Sequence, residues 1–80
     1  MENLINLKNA QLNKVAIVER IEKNITPEVK HRLEELGFVK NMRVRIIHRS
    51  RLAKCGITIV QGSKICLDDQ ILSSIWVRQL

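Results

Sequence analysis

Four side chains in this sequence carry soft metal-ligating atoms: His31, His48, Cys55 and Cys66. Imidazole nitrogens and thiolates are the donor set that zinc and other borderline-soft metals prefer. Their spacing does not assemble a site. Ten residues separate the two cysteines, far from the Cys-x-x-Cys spacing of a redox or zinc pair. His31 falls off the apolar stripe of the helix predicted around it and beside Glu28, Glu34 and Glu35, so it is expected to face solvent and pair with carboxylates. On the two strands predicted around the cysteines, alternation groups Cys55 with Ile57 and Ile59 and sets Cys66 opposite to Ile65 and Leu67. The thiols are therefore expected on opposite sides, without converging. No metal and no cofactor are expected, and both cysteines read as reduced thiols, too few for the disulfide framework of a small secreted domain.

Catalysis fares no better. Nucleophilic or acid–base chemistry needs a base within hydrogen-bonding reach of its partner in a water-poor pocket, and no pairing of Ser, Cys, His and carboxylates here has such spacing. With glycines only at Gly37, Gly56 and Gly62, a glycine-rich phosphate cradle is absent. A groove for polyproline peptides needs several aromatic rings, and the chain offers only Phe38 and Trp76. The expectation is a protein that is not an enzyme.

What remains is charge. The 80 residues carry 14 Lys+Arg against 8 Asp+Glu, a formal net charge of +6. Residues 1–40 hold seven basic and six acidic side chains, whereas residues 41–80 hold seven basic ones against Asp68 and Asp69. Between positions 40 and 54 lie Lys40, Arg43, Arg45, Arg49, Arg51 and Lys54 with no acid, and Leu52 among them as a possible apolar anchor. Such a window points to an acidic protein partner, an anionic membrane surface or nucleic acid. Nucleic acid is the less favoured alternative, because the aromatic faces that stack bases are missing and the one predicted helix carries Glu28, Glu34 and Glu35.

The elements that must position these residues are short. Thr26 caps a helix start, Pro27 suits its first position, and Val29, Leu33 and Leu36 recur as one apolar stripe, which predicts a helix over 27–36. Gly37 stops it, with Phe38 placed to touch Leu33 in a Schellman ending. Extended patterns cover 14–21, 42–48, 55–60, 63–67 and 75–77, with 68–74 as a polar turn or a single helical turn. In the second of these strands Val44, Ile46 and His48 alternate against Arg43, Arg45 and Ile47; Gln61-Gly62 suggests a tight hairpin between the third and fourth. Eighty residues fit one domain, 1–80. The longest apolar run, Val15 to Val18, is too short for a membrane helix or a secretion signal, so a soluble intracellular chain is expected. Five short strands and one inserted helix fit a mainly β fold, a small Src-homology-3-like (SH3-like) β-barrel.

The segment Arg32-Leu33-Glu34-Glu35-Leu36-Gly37 resembles the helix-ending R-L-x-x-L-G motif of the ferrous-iron-transport A family, FeoA. Leu4, Leu7, Val15, Ile17, Val44, Ile46, Gly62, Ile65-Cys66-Leu67 and Ile75-Trp76-Val77 fall at that family's spacing as well. The likeness covers residues 4–77. Asn41 stands where the family usually has glycine, and asparagine is the next best residue at positive φ. Lys8-Asn9-Ala10 replaces a common Pro-Gly turn, and the loop from Ser50 to Cys55 lacks the prolines of many members. The resemblance implies a cytoplasmic accessory protein of ferrous-iron uptake that acts on FeoB, a membrane permease with a GTPase domain. On that reading the partner-binding residues are Lys40, Arg43, Arg45, Arg49, Arg51, Leu52 and Lys54.

Overall fold

Capping chemistry puts the one long helix where the local sequence demands it. In the computed structural model, which describes residues 4–80, helix α1 runs Pro27–Leu36. Its first turn is closed by the Thr26 hydroxyl, which accepts from the Val29 N–H at 3.3 Å. At the other end Gly37 adopts φ 109°, the Phe38 N–H donates to the Leu33 carbonyl at 2.9 Å and the Gly37 N–H to Glu34 at 3.1 Å. That is the paired hydrogen bonding of a Schellman ending. It delivers Phe38, fully buried, into the core beside Leu33.

Besides α1 there are six strands, β1 Leu4–Asn6, β2 Ala16–Ile21, β3 Arg43–Ser50, β4 Cys55–Val60, β5 Ser63–Asp68 and β6 Ile75–Gln79, with a four-residue helix, α2, at Asp69–Leu72. All pair antiparallel in one sheet of order β1-β6-β2-β3-β4-β5. The fold is mainly β and SH3-like as expected, but with six strands rather than five. The additional strand, β1, pairs with β6 through Leu4↔Arg78, Ile5↔Val77 and Asn6↔Trp76. The sheet is open between β1 and β5. Asn41 takes the positive φ expected of it, 74°, and Gln61 and Gly62, at 51° and 76°, make the tight turn that joins β4 to β5.

Two details of register correct the alternation expected from sequence. A bulge between Ile46 and His48 shifts the pairing of β3 with β4. Val44 and Ile46 point inward, but His48 then falls in register with Ile57 on the outer face, and Arg49 takes the inward position opposite Gly56. In β4 the buried positions are Gly56, Thr58 and Val60 rather than Ile57 and Ile59. Space decides this: a Cβ on Gly56 would stand 2.9 Å from Leu72 Cδ1 and 3.0 Å from Ile46 Cδ1, so the inner surface there admits only backbone. The buried Thr58 hydroxyl is satisfied by donating to the Ile65 carbonyl at 2.9 Å. Leu7, Val18, Leu33, Phe38, Val44, Ile46, Val60, Leu72, Ile75 and Val77 complete a single core.

Candidate docking surface

The loop between β3 and β4 is short and well formed. The Ser50 hydroxyl accepts from the Ala53 N–H at 3.0 Å, Lys54 takes φ 52°, and the Lys54 carbonyl accepts from the Asp69 N–H at 2.9 Å. The Asp68 carboxylate in turn caps α2 by accepting from the Ile71 N–H at 2.8 Å. On this tied turn Leu52 is 100% exposed, flanked by the exposed Arg51 and Lys54.

The other basic residues of the 40–54 window divide. Arg43 and Arg45 point outward from β3, in register with Ile17 and Ile59. Five residue steps along the strand lead from Arg45 to Ser50, roughly 16 Å at about 3.3 Å each. They therefore form a second patch at the far end of β3 from Leu52. Lys64, exposed and paired with Ile59 on β5, extends this second patch; it lies outside the basic window, and only the register set by the Gln61-Gly62 turn would have placed it there. Lys40 is engaged elsewhere: its Nζ lies 3.4 Å from Glu19, which also accepts from Arg78 Nε at 2.8 Å. Arg49, turned inward by the bulge, donates from Nη2 to the Ala10 carbonyl at 2.6 Å. It ties β3 to the segment before β2 rather than standing on the outer face with Arg43 and Arg45.

The candidate ligating residues are not gathered into a metal centre among the described residues. His31 is exposed as expected, 3.8 Å from the Glu35 carboxylate one helical turn on. His48 faces outward from β3. The expectation for the cysteines fails: Cys66 is in register with Ile57 and Cys55 with Asp68, so both thiols project from the same outer face, on a diagonal. The Cys66 thiol, by hydrogen bonding, pushes the Cys55 pKa up, with desolvation and the charge of Asp69 acting in the same direction.

Trp76 is occupied by its own neighbours: its indole N–H donates to Glu22 and the Arg20 guanidinium sits 5.3 Å from its ring centroid. An apolar groove of about 240 Å³ lies between α1 and α2, lined by Val29, Leu33, Leu36, Leu67 and Ile71 with Glu28 and Arg32; it contains no nucleophile–base pair. Among the described residues no helix is long and apolar enough to cross a membrane.

Comparison with known proteins matches this arrangement to one family. The profile of the FeoA domain covers residues 5–79. A crystal structure described as iron uptake regulatory protein (FeoA) superimposes with a TM-score of 0.81 at 15% identity, covering 98% of this chain and 99% of the other. FeoA of Stenotrophomonas maltophilia, crystallised with zinc and described as a prokaryotic SH3 domain protein, gives 0.79 at 24% identity over 91% of this chain and 88% of its own. A manganese-dependent transcriptional repressor gives 0.88 at 20% identity; all of this chain is covered, but it spans only 38% of the repressor. No curated protein sequence matches significantly.

Proposed function

Because the chain belongs to the FeoA family, associated with ferrous iron transport, we propose that it is a non-enzymatic, cytoplasmic accessory protein that docks on the cytoplasmic portion of a FeoB-type permease. Leu52 carries this reading. It is an aliphatic side chain wholly in water on a hydrogen-bonded turn, between two cations. An apolar anchor ringed by charge is how a docking surface combines contact energy with fast, oriented encounter. Arg43, Arg45 and Lys64 supply a second basic contact at the other end of β3, suited to acidic residues of the permease or to the anionic membrane surface beside it. Lys40, exposed beside Glu19, adds a further cation to this basic surface, and Arg49 is hydrogen-bonded to the Ala10 carbonyl.

The test is capture of the permease's cytoplasmic domain by the wild-type protein, by Leu52→Ser and by the double reversal Arg43→Glu with Arg45→Glu. Leu52→Ser is expected to lower recovery at least tenfold, and the double reversal to slow association and flatten its salt dependence. Equal recovery by all three would remove this surface from consideration, and RNA recovered in place of the permease would favour the nucleic-acid alternative.

A further inference from the structure

From the placement of the two thiols, we infer that Cys55 and Cys66 form a redox-active dithiol that closes to an intramolecular disulfide by exchange with a small-molecule disulfide of the glutathione type. The register places them together: with Ile57 opposite Cys66 and Cys55 opposite Asp68, the cysteines occupy diagonal positions on one face of a hydrogen-bonded strand pair. Both are free thiols, Cys66 exposed and Cys55 half-buried, and neither belongs to the core. Cysteine at the surface is unusual for one of the residue types most often buried, and reactivity rather than packing then accounts for it.

The two thiols are not equivalent. Cys66 is the more accessible, and Cys55 holds its proton more firmly because the Cys66 thiol stands next to it. Cys66 is therefore the attacking thiolate. Its sulfur displaces one thiolate from the small disulfide and forms a mixed disulfide. Cys55 then loses its proton to solvent, its sulfur attacks Cys66 Sγ, and the second small thiolate leaves. The chain loses two protons and two electrons, and the small disulfide gains both to become two thiols.

Diagonal strand neighbours lie about 7–8 Å apart at Cα, beyond the roughly 7 Å that a disulfide spans without backbone movement, so closure requires the β4–β5 pair to shift locally. The bridge forms under strain, and strained, exposed disulfides are the labile ones, given up readily to excess thiol.

The experiment uses the full reduced chain, incubated with glutathione disulfide, quenched in acid and measured by intact and peptide mass spectrometry. Wild type is expected to lose the mass of two hydrogens as a monomer, with peptides containing residues 55 and 66 joined, and to revert in excess reduced glutathione. Cys55→Ala is expected to keep a glutathione adduct on Cys66, the trapped intermediate. A wild type that stays reduced, carries two glutathione adducts or forms only intermolecular dimers overturns the inference, as does a Cys55→Ala protein that never acquires the adduct.

Discussion

Burying a leucine side chain is worth about 1.5–3 kcal/mol, and at position 52 the fold leaves all of that unclaimed. Leu52→Ser is therefore expected to leave the urea unfolding midpoint unchanged while it lowers permease capture, which separates a docking role from a structural one. Arg49 makes the opposite case. Its guanidinium is turned under the bulge onto the Ala10 carbonyl, so Arg49→Met should cost about 1–2 kcal/mol through the lost charge-assisted hydrogen bond, read as a lower urea midpoint with the same slope. Gly37 is constrained by its backbone: φ is 109°, a conformation that a side chain strains. Gly37→Val is expected to cost about 1–3 kcal/mol in the same measurement. For the cysteines the sign is set by the neighbour. The Cys66 thiol raises the Cys55 pKa, so Cys66→Ala should lower it and speed alkylation of Cys55 by iodoacetamide near pH 8.

Among the elements, α1 was legible because its signals are local. Thr26 and Pro27 at one end and Gly37-Phe38 at the other act within a few residues of themselves, and the bounds follow from their hydrogen bonds. Thr26→Ala is accordingly expected to lower stability by about 1 kcal/mol through loss of the cap, seen as a fall of several degrees in Tm. The hairpin at Gln61-Gly62 was legible for the same reason. Strand β1 was not: three residues carry no periodicity, and its partners, Trp76 to Arg78, lie at the other end of the sequence. The facing of β4 was also hidden. Cys-Gly-Ile-Thr-Ile-Val is apolar in both phases, and hydropathy favours Ile57 and Ile59 inside, whereas the space left by Leu72 and Ile46 requires Gly56 there instead. That one inversion brings the cysteines to a common face. The bulge at Ile47 had no sequence signal either, and it is what removes Arg49 from the set of outward-facing cations.

At the scale of the molecule, the outward facing of Arg43 and Arg45 and the exposure of Arg51, Leu52 and Lys54 follow the alternation of β3 and the loop after it; the inward turn of Arg49 and the distance between the two groups do not. A contiguous basic window in sequence becomes two patches separated by the length of β3, because an extended strand carries its ends apart. Both patches should matter to encounter, and their contributions should be nearly independent, as sites well over 10 Å apart usually are. Association rates of Arg51→Glu, Arg43→Glu and the double variant, measured by stopped flow at two salt concentrations, are expected to show additive losses in the logarithm of the rate. The sheet order has a consequence of another kind, for the time at which the protein can form. Strand β6 lies between β1 and β2, and on its other side β2 meets β3 through the pairs Ala16↔Val44 and Ile17↔Arg43, extended by the Val18 N–H to the Met42 carbonyl and the Asn41 N–H to the Val18 carbonyl. A nascent chain emerging from the ribosome can close the β4–β5 hairpin early, since its contacts are local. Strand β1, whose one neighbour in the sheet is β6, must wait for Ile75–Gln79, so the sheet is completed from its β4–β5 side toward β1.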